Sequence, residues 1–452
     1  MRSFVPQRLT NPVLAAVLLG LFACDPEPGT KASTLPSRPE TMGTAVAGSS
    51  ASGGAGAAAS PATSGRGEGG ARDVGLVPAS GGSVAAGNAG ASAAGTEGGV
   101  VPQVPLAAFA YVGGGNQISL FSMAADTGVL TPRGAPLEVT PNPSFLAFAP
   151  AGDVLFAVNE SDNVPGIGSG AVSSFRIDPA TGGLTFINRV SSQGAGPAHV
   201  SVDQGGNFVF VANYNGGTIA VLPVAEDGTL GASIDSASHG GNAQAHEVVL
   251  DPSNQFLFVP NKGLSNIQQY RFDEVTGQLE PNTPPAVAFA QGAGTRHLAF
   301  HPSAPYAYAI NELDDTMVAL SFDAAQGTLT PIQTLSTLPA GVNGANNTCA
   351  EVQVAPSGRF VYGSNRGHNS IVMYAVDAAT GRLSLVGHQL TGGNTPRSFH
   401  LDRNGRVMLV ANQGSNEVVS FQVDATTGLL TETSSVSAQA PAFVGVLYLP
   451  LP

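Results

Sequence analysis

From residue 105 onward, short apolar runs alternate with turns rich in Gly, Pro, Asn and Asp, spaced about 8–12 residues apart. No stretch carries the 3.6-residue period of an amphipathic helix. The pattern predicts an all-β domain built from short strands. The clearest stretch runs from Gln291 to Thr316. It has an apolar run from Arg296 to His301, a Pro/Ser turn from Pro302 to Pro305, and a second run from Tyr306 to Asn311. This reads as a β-hairpin. Arg296 and Glu312 lie symmetrically about Ala304, so in-register pairing brings a guanidinium and a carboxylate together at its open end.

The hairpin belongs to a series. A Gly followed two residues later by Leu, usually after Thr or Asp, closes seven segments, at Gly128, Gly182, Gly228, Gly277, Gly327, Gly381 and Gly428. A β-run ending in Asn also occurs seven times, at Asn116, Asn159, Asn213, Asn261, Asn311, Asn365 and Asn412. Both series step by roughly 43 to 54 residues, the span of one four-stranded propeller blade. A seven-bladed β-propeller over 105–452 is the expected fold. The C-terminal PAFVGVLYLP reads as an inner strand without a blade of its own, and AFAYVGGGNQISLFSM supplies second and third strands without an inner one. The N- and C-terminal strands are therefore expected to close the ring together.

Alignment of the repeats on Asn produces two columns. One residue after it stand Gln117, Glu160, Tyr214, Lys262, Glu312, Arg366 and Gln413. At the start of each inner strand stand Ser144, Ala198, His246, Arg296, Ala350 and Arg397, followed at the next position by His199, His297 and Glu351. Both columns belong to the open ends of successive hairpins, so they are expected to converge on one mouth of the central channel. A propeller needs no charge there to fold, yet Lys262, Arg296, Arg366, Arg397, Glu160, Glu312 and Glu351 all fall in these columns.

The N-terminus changes the picture of where this domain works. Arg2 and Arg8 precede an apolar run, Val13 to Ala23, too short to span a bilayer. Residues 1–23 read as a secretory signal, and Leu21-Phe22-Ala23-Cys24 resembles the bacterial lipoprotein box, with Cys24 as the lipidated residue. Residues 24–104 are Gly, Ala, Ser, Thr and Pro with almost no large apolar side chains, a composition that predicts a disordered tether. The expected protein is exported and held to a membrane by lipid on Cys24.

Net charge is −13, which argues against nucleic acid as a partner. Lysine occurs twice and arginine sixteen times, so an anion site rests on a few placed arginines. With Cys24 assigned to lipid, Cys349 is the only other cysteine, which excludes an intrachain disulfide in the propeller; it reads as a small buried residue. No HExxH, Cys-x-x-Cys or EF-hand loop appears, so neither a metal nor another cofactor is expected.

The motifs PSFLAFAPAGDVLFAVNE, VANYNGGTIAV, GTRHLAFHP, AYAINEL, AEVQVAPSGRFVYGSNRGHNSI and TPRSFHLDRNGRVMLVANQ together resemble the seven-bladed lactonases of the bacterial 6-phosphogluconolactonase type. That family also includes the fungal carboxy-cis,cis-muconate lactonizing enzyme. The resemblance implies catalytic roles for His246, Arg296, Glu312 and Arg366. Glu312 or His246 would take a proton from water, and the two arginines would hold the oxyanion or an anionic substituent. Lys262, Arg397, His199 and Glu351 are the implied substrate-facing residues, although His199 and His297 also read as hydrogen-bonded rim or core histidines. Where the family has Pro-His-x-His, this chain has Gln244-Ala245-His246-Glu247. Two plainer readings stand beside this one: ion pairs Arg296–Glu312 and Arg366–Glu351 that merely close hairpins, and a non-catalytic propeller that binds a ligand or protein at the same mouth.

Overall fold

The computed structural model describes residues 106–450; the expected signal sequence, Cys24 and the expected tether lie outside them. Seven antiparallel sheets follow one another, most with four strands in simple inner-to-outer order. Numbered from the N-terminus, blade 2 spans 146–191, blade 3 spans 197–238, blade 4 spans 249–288, blade 5 spans 295–336, blade 6 spans 348–390 and blade 7 spans 396–437. Blade 1 is the composite one. Its inner strand, Pro441–Pro450, pairs along the whole of Leu106–Gly114, with Ala110 opposite Val446. The ring is closed by the two ends of the propeller, as the unmatched strands predicted.

Sheets packed face to face explain the strand composition. In blade 5, Ala307 and Ala309 pack toward Phe256 and Phe258 of blade 4, while Tyr308 and Ile310 pack toward Val352 and Val361 of blade 6. Second strands are thus covered on both faces and read as continuous apolar runs rather than alternating ones. Alternation survives in the outermost strands, where Leu430–Ser437 exposes every other residue or more.

Both repeated residues have a physical reason. At Gly327 the backbone is left-handed, with φ +65, and a Cβ would lie 2.0 Å from the Phe256 ring of the preceding blade. Only glycine lets that ring close against the turn. Gly327→Ala should destabilise the fold by about 2–4 kcal/mol, from the left-handed backbone and the overpacking together, read as a lower denaturant midpoint. Four of the Asn series clasp a blade to the preceding connection: Asn159 Nδ2 donates to Pro141 O, Asn213 to Ser192 O, Asn365 to Thr337 O and Asn412 to Thr391 O; Asn261 and Asn311 instead donate to Asn266 Oδ1 and Thr316 Oγ1 within their own hairpins. The next residue in sequence then leaves an anchored backbone at the channel mouth.

Candidate active site

The mouth is built by a backbone irregularity repeated around the ring. In blade 5, Phe300 pairs with Ala307 and His297 with Ile310, but Thr295 pairs with Asn311, so Arg296 is the extra residue of a β-bulge. The in-register opposition of Arg296 and Glu312 is therefore not what joins them. Blade 3 skips Ala198, blade 7 skips Arg397, and blade 6 skips Ala350 and Glu351 in the same place. A bulge re-aims its side chain and frees backbone groups from the ladder. In these four blades the inner-strand column falls on bulged residues.

Glu312 is the hub. Its Oε1 lies 2.8 Å from Lys262 Nζ and 3.1 Å from Arg366 Nη2, and its Oε2 lies 3.1 Å from Arg296 Nε. Arg296 Nε makes no directed hydrogen bond despite that distance, so this contact acts through charge. Three adjacent blades meet at one carboxylate. Burial pushes its pKa upward, but Arg366, Arg296 and Lys262 outweigh burial and hold it at about 2. Lys262 is held in turn by the Tyr214 hydroxyl at 2.9 Å. Burial opposes its charge, and Glu312 more than compensates. Farther round, Arg397 reaches Glu160 at 3.8 Å, between blades that are not neighbours. Exposure rises from 3% for the Arg296 side chain to 14% for Lys262 and Arg366 and 22% for Arg397, so the cluster opens outward.

Beside the cluster, buried rings pack against one another and form its floor. Phe145 of blade 2 packs on His199 of blade 3 with centroids 4.0 Å apart, and His297 of blade 5 meets His199 and His246 at 5.6 and 5.1 Å. Burial, reinforced by Arg296, holds His246 and His297 well below the usual imidazole range; for His199 burial leads, followed by His297 and Arg296. All three are neutral at physiological pH. Burial also pushes Glu351 up to about 7 and Glu247 well above its ordinary value. Glu247 accepts from Leu298 N at 2.6 Å and faces His199 at 3.7 Å.

His246, Arg296, Glu312 and Arg366 therefore lie in one connected cluster, with Lys262 as a direct member and Arg397 at the rim. His199 and Glu351 sit in the floor. Glu351 does not pair with Arg366: it takes His297 Nδ1 at 3.1 Å, while Arg366 turns to Glu312 and to Cys349 O at 3.0 Å. Glu351 precedes the end of the bulge and points across the blade boundary rather than along its own hairpin. Phe145, Glu247, Glu160 and Tyr214 also contact the cluster or its floor, and of these only Glu160 and Tyr214 stand in the aligned column. Cys349 is buried, as expected of a packing residue. His301 caps its own turn by accepting from Ala304 N at 2.9 Å.

The histidines differ in one respect that matters chemically. His297 has both ring nitrogens engaged, by Arg296 and Glu351. His246 Nδ1 is buried with no hydrogen-bond partner among the described residues. A neutral imidazole with unspent capacity beside a set of fixed cations can take a proton from water while the cations stabilise the negative charge that results.

Residues 106–446 match the family described as lactonase, seven-bladed beta-propeller. Over 269 residues the chain is 34% identical to the 6-phosphogluconolactonase of Bacillus subtilis, covering 58% of this chain and 74% of that protein. It is 36% identical over 231 residues to the 6-phosphogluconolactonase of Pectobacterium carotovorum, covering 51% and 68%. Among solved structures it resembles the periplasmic gluconolactonase of Pseudomonas aeruginosa with a TM-score of 0.70 and 31% identity, over 77% of this chain and all of that one. The propeller, the channel-mouth cluster and these likenesses together place the chain in the seven-bladed β-propeller lactonase family.

Proposed function

We propose that this protein hydrolyses a lactone at the channel mouth, with His246 as the base and Arg296 and Arg366 as the oxyanion site. The observation that carries the assignment is the contrast between His246 and Glu312. A carboxylate held at about 2 by three cations is a poor proton acceptor, whereas His246 is neutral, and with Nδ1 buried from solvent its Nε2 is the nitrogen that meets water. His246 takes a proton as water attacks the lactone carbonyl. Negative charge gathers on the carbonyl oxygen beside the guanidiniums, and collapse of the tetrahedral intermediate breaks the ring C–O bond. The imidazolium returns its proton to the departing alkoxide. Its depressed pKa suits that second step, since it is a strong acid for as long as it exists. Glu312 keeps three mutually repelling cations at fixed positions.

Four cations, Lys262, Arg296, Arg366 and Arg397, face two low-pKa or rim carboxylates, Glu312 and Glu160. That imbalance favours a lactone with a phosphate or carboxylate substituent. Reaction outside the cytoplasm, on a lipid tether at Cys24, is supported by the N-terminal signal pattern and by the periplasmic location in the name of the Pseudomonas relative. Sugar, phosphosugar and aliphatic lactones offered to the full chain test this reading. Ring opening is expected, with KM for the anionic lactones rising as NaCl is added and KM for neutral ones unchanged. No acceleration on any lactone would leave a binding propeller instead.

A further inference from the structure

Arg296 is held by more than Glu312. Its Nη1 donates to Ala350 O at 2.6 Å and lies 3.2 Å from His297 Nε2. A guanidinium can only donate, so His297 Nε2 must carry a lone pair and the ring proton must sit on Nδ1. That proton points at Glu351 Oε1, 3.1 Å away, and the same oxygen accepts from Val352 N at 3.1 Å. The chain of donors is complete: backbone amide and imidazole N–H onto Glu351, and guanidinium N–H onto the imidazole. All three side chains are buried, with Arg296 at 3%, His297 at 2% and Glu351 at 6% exposure.

The bulge in blade 6 makes this possible. Cys349 pairs with Asn365 and Val352 with Gly363, leaving Ala350 and Glu351 outside the ladder. Cys349 O takes Arg366, Ala350 O takes Arg296, and Glu351 takes His297. The bulge is itself pinned by Ser364 Oγ, which accepts from Glu351 N at 3.0 Å. Three consecutive residues of one strand thus orient both guanidiniums of the mouth.

We propose that His297 and Glu351 form a positioning dyad for Arg296: Glu351 fixes the tautomer and angle of His297, and His297 aims the guanidinium so that its remaining N–H groups face the developing oxyanion. Neither residue touches substrate. This rests on the lactonase reading of the same mouth, and it separates His297, with both ring nitrogens engaged, from His246, left for proton transfer.

A double-mutant cycle on the full chain tests it, using the lactone the parent opens fastest. His297→Phe keeps the ring that packs on His199 and His246 but removes both nitrogens. It should lower kcat about 10–100-fold with KM within about threefold, the range expected when a catalytic group is misaimed. His297→Gln, which restores one acceptor and one donor, should recover at least about fivefold of that loss, and Arg296→Ala/His297→Phe should be no slower than Arg296→Ala alone by more than about twofold. A fully additive double variant, or His297→Phe at the parent rate, would overturn the dyad. If His297→Phe fails to fold, Glu351→Leu takes its place in the cycle with the same expectations. Peptide mapping after phenylglyoxal treatment reads the positioning without turnover. Arg296 should react at least about fivefold faster in His297→Phe than in the parent, as a freed guanidinium does, and equal rates would refute the proposal. An inactive parent with faster modification in the variant would reject the lactonase reading and keep the dyad.

Discussion

His246→Gln should lower kcat for lactone ring opening by about 10²–10⁴-fold, the range for loss of a positioned general base, with little change in KM. Glutamine keeps a polar side chain of similar reach but cannot take a proton. The ring stacks edge-on against Tyr214 and His297 at 5.5 and 5.1 Å and has its Nδ1 unpartnered, so the fold should tolerate the change. Initial rates together with far-UV circular dichroism check both halves. Since burial and the nearby cations keep His246 neutral well below the ordinary imidazole pKa, no loss of activity from its protonation is expected between pH 6 and 8. A rate that followed an ordinary histidine titration would assign the base to a different group.

Glu312→Gln is the change expected to damage both stability and activity. It leaves Lys262, Arg296 and Arg366 repelling one another with no buried counter-charge. Breaking one side of a buried ionic cluster costs about 3–5 kcal/mol. Linkage gives a similar size. Held at about 2 against an ordinary 4.5, the carboxylate contributes on the order of 3 kcal/mol above pH 4.5, by about 1.4 kcal/mol per unit. The sign is that of a depressed acid: the contribution is complete above 4.5 and disappears as pH falls toward 2. Denaturant midpoints of parent and variant should therefore differ most at neutral pH and converge as the solution is acidified. Sulfate should restore part of the variant's stability, because three uncompensated cations constitute an anion site. An equal gap at pH 7 and pH 3 would mean that Glu312 is not the hub.

The propeller was legible because its needs recur. Gly327 and its counterparts answer an aromatic or branched side chain pressing on a left-handed turn, and Asn159, Asn213, Asn365 and Asn412 answer a backbone carbonyl that needs a donor. Seven repetitions turn such local requirements into a visible period. The mouth was legible in the aligned columns for the same reason, and Arg296, Glu312, Arg366 and Lys262 do meet there. What stayed hidden was pairing between blades. A hairpin read by itself suggests partners along its own strands, which holds for Arg296 with Glu312 but not for Glu351 with Arg366; the other ionic contacts run from blade to blade, through Glu312 and through His297 with Glu351. The bulge was hidden too, because Thr295-Arg296-His297 has no residue type that marks it; the extra residue is set by the geometry of strands converging on the axis. The buried aromatic floor needed the third dimension, since Phe145, His199 and His297 come from three different blades.

The most direct measurement is the initial rate of gluconolactone and phosphogluconolactone ring opening by the purified full chain, with buffer alone and His246→Gln beside it. The parent should accelerate ring opening well above buffer, with nearly all of that acceleration absent in the variant while the fold is intact. A parent no faster than buffer on either lactone, or a variant as fast as the parent, would contradict the lactonase reading.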